Sequence, residues 1–335
     1  MKNNKEKVLI IGGMGFIGHN LALKLSTKYD VLIVDAMEVN NLISLNKTAK
    51  ENPNFELYSK IIKQRINLIE TNNISLKKID ARNYEKISEV FNNYKPDYVF
   101  HLAAVAHANV SNKDPYSTFD HSLRTLENSL DNSRNKNQNI KRFIYLSSSM
   151  IYGNFKGGIV DEDTICNPLG IYGALKFSGE KMVIGYNQVF DLPYTIVRPS
   201  ALYGPRCISR RVIQIFIENA MKNKDIFIDD DGKEKLDFTY IDDFIQGLEK
   251  ILIHEASNKE IFNLTFGQAR SIIDVVNIIK KEFTNLNVIS KPRDKLMPIR
   301  GTLSIEKAKQ KINYLPSFDI EKGIKEYINF YKNIS

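Results

Sequence analysis

Val8-Leu-Ile-Ile-Gly-Gly-Met-Gly-Phe-Ile-Gly18 joins an apolar run to a helical one through glycines spaced Gly12-x-x-Gly15-x-x-Gly18. Val8 to Ile11 reads as a short buried strand. Asn20 to Lys28 carries Leu21, Ala22 and Leu25 at helical spacing. A strand that turns sharply into a helix aims the first N–H groups of that helix at the turn, and that end suits a pyrophosphate. Gly12 permits the turn, Gly15 lets backbone approach phosphate, and Gly18 lets helix lie on strand. Phe16 and Ile17, between the second and third glycines, belong to the same cofactor-binding turn. A second apolar run, Val31 to Val34, ends in Asp35. A carboxylate at that strand tip accepts a ribose 2′-hydroxyl and repels a 2′-phosphate. Together these features read as a dinucleotide cradle rather than an ordinary glycine turn.

The composition sets bounds on the rest. A chain of 335 residues, 43% of them hydrophobic, buries a large core as one large or two intimate domains. No apolar run of membrane-spanning length occurs. Met1 to Lys7 is polar and leads straight into a strand without a cleavage site, so we expect a cytoplasmic protein with no membrane partner. Cys166 and Cys207 are too few for a disulfide framework or a zinc site, and no metal is expected. The net charge of +8 comes from lysines spread along the chain. This reads as a solvated surface, not a nucleic-acid binding patch.

Strands and helices alternate through the first 200 residues. After the two opening strands, Glu38 to Ser75 is polar and partly helical, with Tyr58, Lys60 and Arg65 on one helix. Further strands are expected at Leu76–Asp80, Asp97–Leu102, Arg142–Leu146 and Pro193–Val197. Helices are expected at Tyr84–Tyr94 and Ser117–Asn135. This rhythm predicts an α/β fold with a Rossmann-type, doubly wound parallel sheet. Ligands in such sheets bind beyond the carboxyl ends of the strands. Gly12 to Gly18, Asp35, Asp80, His101, Ser148 and Arg198 all fall there. Asp80, followed by Ala81, faces either an adenine or a plain strand-end turn. Leu102, Ala103 and Ala104 leave room for a cofactor. Beyond residue 200 the pattern changes to helices and short strands, one of them expected over Asp237–Ile241. We expect residues 1–200 to bind the cofactor, with 237–264 contributing, and 201–335 to form a smaller α+β substrate lobe.

The chemistry centres on Ser148, Tyr172 and Lys176. Tyr172-Gly-Ala-Leu-Lys176 sets the tyrosine and lysine one helical turn apart on one face. Tyrosine is a poor base at its usual pKa of about 10. A neighbouring ammonium favours the phenolate. The pair can then remove a hydroxyl proton while a nicotinamide accepts hydride from the same carbon. Ser148, at a strand end, can hydrogen-bond the same oxygen. Taken alone, Tyr-x-x-x-Lys means little in a chain with 16 tyrosines and 47 lysines and arginines. The order of glycine turn, acidic strand tip, serine-rich strand end and Tyr-x-x-x-Lys gives it weight.

These residues resemble the extended short-chain dehydrogenases/reductases, specifically the NAD-dependent nucleotide-sugar epimerase/dehydratase family. The matching motifs are Gly12-Gly-Met-Gly-Phe-Ile-Gly18, His101-Leu-Ala-Ala104, Ser147-Ser-Ser149 with Tyr152-Gly153, and Pro168-x-x-x-Tyr172-Gly-x-x-Lys176. Arg198-Pro with Tyr203-Gly-Pro205, Asp237-Phe-Thr-Tyr-Ile-Asp-Asp243 and the segment Asp294 to Tyr331 extend the likeness over nearly the whole chain. Tyr58-x-Lys60 and Arg65, leading into Asp80, look most like the uronate 4-epimerase branch. The resemblance implies NAD as cofactor and a nucleotide-diphosphate sugar as substrate. It implies Tyr172 as base, Lys176 as its partner and nicotinamide-ribose ligand, and Ser148 as third member. It also implies Asp35 and Asp80 as adenosine ligands, Ser111 and Ser149 as substrate contacts, and a homodimer built through two helices per subunit.

The departures from the family pattern carry information too. Dehydratases of the family have Asp-Glu where this chain has Ser149-Met150, so water elimination lacks its acid and base. The usual Asn before Val/Leu-Tyr-Gly-Pro is Ala201, and the usual Arg before Asp-Phe is Leu236. An Asn common in the fourth helix is His121. Arg206, Arg210, Arg211 and Arg300 then become the alternative phosphate ligands. The resemblance points to oxidation at sugar C4 through a 4-keto intermediate, most simply in a 4-epimerase. A 4-dehydrogenase or reductase that releases the ketone is the alternative. A dehydratase or a non-catalytic NAD-binding scaffold fits less well.

Overall fold

The computed structural model describes residues 5–105, 108–293 and 297–334. Asp294, where the C-terminal family-like segment begins, lies outside the described residues. Seven strands form the central sheet: β1 (Lys7–Ile11), β2 (Asp30–Val34), β3 (Ser75–Lys77), β4 (Tyr98–His101), β5 (Arg142–Leu146), β6 (Tyr194–Arg198) and β7 (Glu260–Asn263). Their order is β7-β6-β5-β4-β1-β2-β3, and every neighbouring pair is parallel. The order reverses between β1 and β4, which is where such sheets open a ligand crevice.

Parallel strands covered by helices on both faces are apolar throughout, as Val8 to Ile11 are. Alternation along β1 feeds two cores. Val8 and Ile10 pack in one with Leu21, Phe216, Phe244 and Tyr327. Leu9 and Ile11 pack in the other with Phe91, Val99 and Phe143. The first core runs from the sheet into the C-terminal helices without a break. Register levels the strand tips, since Ile11 pairs with both Val34 and His101, and His101 pairs with Tyr145. Gly12, Asp35, Leu102 and the Leu146–Ser148 segment therefore leave the sheet side by side.

Three elements differ from expectation. β3 ends at Lys77, so Asp80 lies in the following loop rather than at a strand tip. The strand expected over Asp237–Ile241 is split into Lys235–Leu236 and Thr239–Tyr240. The cause is Asp237, wholly buried, whose carboxylate accepts the N–H of Leu303 and Gly267 and the Thr265 hydroxyl. Burial pushes its pKa up to about 7. The helix expected over Ser117–Asn135 contains a π-helical turn, Asp120–Arg124, between α-helical Pro115–Phe119 and Thr125–Ser133. Beyond β6 the described residues make only short two-stranded pairings before and after β7 rejoins the main sheet.

Arg198 at the tip of β6 is held by Glu180 through two bonds of 3.0 and 2.8 Å, and both side chains are nearly wholly buried. Arg198 also donates to the Tyr152 hydroxyl at 2.9 Å. Glu180→Ala leaves a buried guanidinium without its counter-charge. We expect it to lower stability by about 3–5 kcal/mol, read from urea unfolding midpoints.

Candidate active site

The helix Phe16–Ser26 starts at Gly15, which offers no side-chain cap, and no acidic residue occupies its first turn. Its first N–H groups are therefore left for a ligand. Gly12 has φ +83°, and a Cβ there would sit 2.6 Å from the Ala103 backbone nitrogen. A Cβ on Gly18 would sit 2.5 Å from Gly13 Cα. A side chain at Gly18 would push the helix off the turn after β1, and one at Gly12 would strike the backbone that follows β4. Asp35 follows β2 and accepts the N–H groups of Met14 at 2.8 Å and Met37 at 2.7 Å. Burial raises its pKa, and these bonds and Arg65 oppose the rise. An open glycine cradle, an uncapped helix start and a carboxylate fixed beside them fit a dinucleotide such as NAD.

A cavity of about 660 Å³ spreads from this cradle across the strand tips. Its lining includes Gly12, Gly15, Phe16, Ile17, Gly18, Asp35, Asp80, Ala81, Leu102, Ala103 and Ala104. Ser148, Ser149, Tyr172 and Lys176 line the same cavity. Ser148 follows β5 and caps the short helix Ser149–Tyr152 by accepting the Met150 N–H at 3.2 Å. Tyr172 and Lys176 lie on the helix Gly170–Phe190. Gly173 brings that helix against the serine segment, because a Cβ there would be 2.9 Å from Met150 O.

Lys176 is buried and donates to Leu146 O at 2.6 Å, which aims its ammonium along the end of β5. Burial lowers its pKa to about 8, with Glu180 opposing. His101 is buried behind it, and burial plus the Lys176 charge holds its pKa down to about 3. The imidazole is thus a neutral packing group, 3.1 Å from the Ser129 hydroxyl.

Two sequence-based assignments fall elsewhere. Arg206 is not on the cavity wall: its Nε donates to His19 Nε2 at 3.1 Å and its Nη2 to Asn20 Oδ1 at 3.2 Å, behind the glycine helix. His19 in turn faces Gly15 O through Nδ1, and burial keeps its pKa well below the usual value. Ser111 is fully buried in the helix Ala108–Lys113 and does not line the cavity. Arg210, Arg211 and Arg300 do line it. Arg300 stands 3.8 Å from Glu234, and burial lowers its pKa to about 10. Ala201 and Leu236, which stand where the family pattern has Asn and Arg, line the cavity as well.

Three groups were missed. Arg65 was placed on a helix but given no role. It reaches from Phe55–Thr71 to donate to Met14 O at 3.3 Å and to Arg206 O at 2.5 Å, fastening the glycine loop. Arg82 grips Asp80 with Nε and Nη2, at 2.9 and 2.6 Å. Burial pushes Asp80 up, yet Arg82 outweighs it and holds the carboxyl below its ordinary range. Glu38 lines the cavity near them. Asp80 and Arg82 are two apart in sequence, a spacing that could have been noticed.

The model of the NAD dependent epimerase/dehydratase family matches residues 8–265. The chain belongs to that family. A relative named a putative UDP-glucose 4-epimerase, from Methanocaldococcus jannaschii, is 29% identical over 333 residues, covering 97% of this chain and 98% of that protein. The crystal structure of UDP-glucuronic acid 4-epimerase from Bacillus cereus, in complex with UDP-glucuronic acid and NAD, aligns with a TM-score of 0.86 at 25% identity. It covers 98% of this chain and 100% of that one. A UDP-glucose 4-epimerase from Thermotoga maritima, solved with UDP-glucose, aligns with a TM-score of 0.84 at 25% identity, covering 98% and 99%. Family membership agrees with the glycine cradle and with the Tyr-x-x-x-Lys helix that faces it.

The buried lysine makes a testable contribution to stability. Between its folded pKa of about 8 and the unfolded value of 10.5, the unfolded chain binds more protons at this site. Stability from Lys176 therefore rises with pH across that window and is lost as pH falls through about 8. Relative to Lys176→Met, the parent should gain roughly 3 kcal/mol between the two limits. Paired denaturant titrations of the two proteins at stepped pH check this.

Proposed function

We propose that this chain is an NAD-dependent 4-epimerase of a nucleotide-diphosphate sugar. The observation that carries the reading is that Ser148, Tyr172 and Lys176 line the same cavity as the glycine cradle, with Ser149 and Met150 in the place of an acid/base pair. Gly12, Gly15, Phe16, Ile17 and Gly18 hold the cofactor's pyrophosphate. Asp35 and Asp80 hold its adenosine half, and Leu102 to Ala104 border its nicotinamide half. Residues 1–200 with 237–264 serve the cofactor, and the remainder of 201–335 serves the sugar nucleotide. Arg211 and Arg300, with Arg210 beside them, face the diphosphate in the absence of an arginine at Leu236. Arg206 and Ser111 have no part in this reading.

NAD, when bound, supplies the acceptor and later the donor of a hydride. Tyr172 takes the proton of the C4 hydroxyl, and Ser148 hydrogen-bonds the same oxygen throughout. The Lys176 ammonium, one helical turn beyond Tyr172, is held in place by Leu146 O. Loss of the C4 hydrogen together with that proton leaves a 4-keto sugar. If the ketone turns over within the cavity, hydride returns to its other face and Tyr172 gives the proton back, which yields the 4-epimer. Loss of water across C5 and C6 would need an acid and a base, and Ser149 and Met150 supply neither. The reading extends to a cytoplasmic protein that works as a homodimer. For the dimer the support is Tyr116, 83% exposed, on the segment Pro115–Phe119 that packs beside the helix Gly170–Phe190.

The experiment is to incubate UDP-, GDP- and CDP-activated sugars with the protein, follow the NADH absorbance band, and identify products by NMR. We expect a 4-epimer with no net NADH. Tyr172→Phe should still bind NAD and lose turnover by roughly 10³-fold or more. A 4-keto-6-deoxy product, or a Tyr172→Phe variant with most of its turnover, refutes the assignment. Free ketone with stoichiometric NADH selects the 4-dehydrogenase reading.

A further inference from the structure

Glu38 lies in the loop after β2, three residues beyond Asp35. Its Oε2 accepts Arg82 Nη2 at 3.0 Å and faces His121 Nε2 at 3.1 Å. Arg82 comes from the loop after β3 and chelates Asp80, which also accepts the Arg82 backbone N–H at 2.9 Å. His121 comes from the π-helical turn Asp120–Arg124, and its Nδ1 is 2.8 Å from Ser117 O. One carboxylate thus joins three segments that are far apart in the chain. Glu38, Asp80 and His121 all line the cavity together with Asp35 and Ala81. Two of its segments follow β2 and β3, which β4 and β1 separate from the β5 strand that leads to Ser148, and the proton chemistry makes no use of the tie.

The side chains of Glu38, Arg82 and His121 are 35%, 30% and 18% exposed. Partly solvated ion pairs of this kind are weak singly and open readily. A π-helical turn inside a helix often marks a functional position. Here it presents His121 to the loop after β2. The tie is therefore both closed in this state and cheap to open, as a gate at the adenosine end must be.

We propose that Glu38, Arg82 and His121 form a latch over the adenosine half of the dinucleotide, and that the latch sets how long the cofactor stays bound. The proposal rests on the functional reading above in one respect. A 4-epimerase must keep the reduced cofactor until the ketone has turned, whereas a dehydrogenase must let it go. Glu38, Arg82 and His121 are positioning residues in this account.

The sign of the effect separates a latch from simple charge. Glu38 is an anion beside an anionic ligand. By electrostatics alone, Glu38→Gln should slow cofactor loss. A latch predicts the reverse. The test loads the full-length protein with radiolabelled NAD, chases with unlabelled NAD in the absence of sugar, and measures the dissociation rate. We expect Glu38→Gln and His121→Gln each to release NAD at least about tenfold faster, and the double variant to be no faster than the faster single one. Rising salt should speed release from the parent and leave Glu38→Gln unchanged. A Glu38→Gln rate equal to or slower than the parent's overturns the latch. So does faster release with Glu38→Gln but not with His121→Gln. Should Glu38→Gln fail to fold, Arg82→Gln reads the same tie, and unchanged release overturns it. Because no sugar is present, failure here leaves the 4-epimerase reading standing, and failure of the sugar assay leaves these rates interpretable.

Discussion

Gly18 rests directly on the backbone of Gly13, and the rest of the site depends on that contact. A Cβ at Gly18 would lie 2.5 Å from Gly13 Cα and 2.6 Å from Gly13 O. With no side chain between them, the helix Phe16–Ser26 starts immediately above β1. Its uncapped N–H groups then open onto the cavity at the point where the strand order reverses. Arg65 and His19 hold this turn from behind through Met14 O and Gly15 O. The Arg65 guanidinium adds to the favourable field that the helix end offers an anion.

The same principle recurs at the chemical end. Gly173 lets the helix Gly170–Phe190 touch Met150 O, and Tyr172 and Lys176 line the cavity together with Ser148. Lys176 then spends its burial on one backbone acceptor, Leu146 O, at the tip of β5. Two close backbone approaches, one at each end of the crevice, thus fix the cradle and the proton-handling groups relative to one sheet. Between them lies a wall of small residues, Ala103 and Ala104, which leaves space for a flat ring system.

Local patterns made much of this legible in the sequence. Gly12 to Gly18, the Asp35 strand tip, and the Tyr172 to Lys176 spacing each encode their geometry within a few residues. The parallel sheet followed from the strand and helix rhythm. What was not legible depends on distant partners. Arg206 carries the same charge as Arg211 but points behind the glycine helix, because His19 and Asn20 take its donors across 187 and 186 residues. Ser111 was expected at the substrate, yet its short helix turns it inward. Asp237 interrupts an apolar strand pattern because a wholly buried carboxylate must collect N–H donors wherever the chain supplies them. Glu38 and His121 meet across 83 residues, and no local spacing announces that.

The central claim is that hydrogen leaves C4 and returns to C4 on the other face without entering solvent. Isotopic labelling tests it most directly. A nucleotide-diphosphate sugar carrying deuterium at C4 is converted in ordinary water and the product is examined by NMR and mass spectrometry. The account predicts a 4-epimer that retains its deuterium at C4. Deuterium found at C6 of a 4-keto-6-deoxy sugar, or an epimer whose C4 hydrogen comes from water, would contradict it.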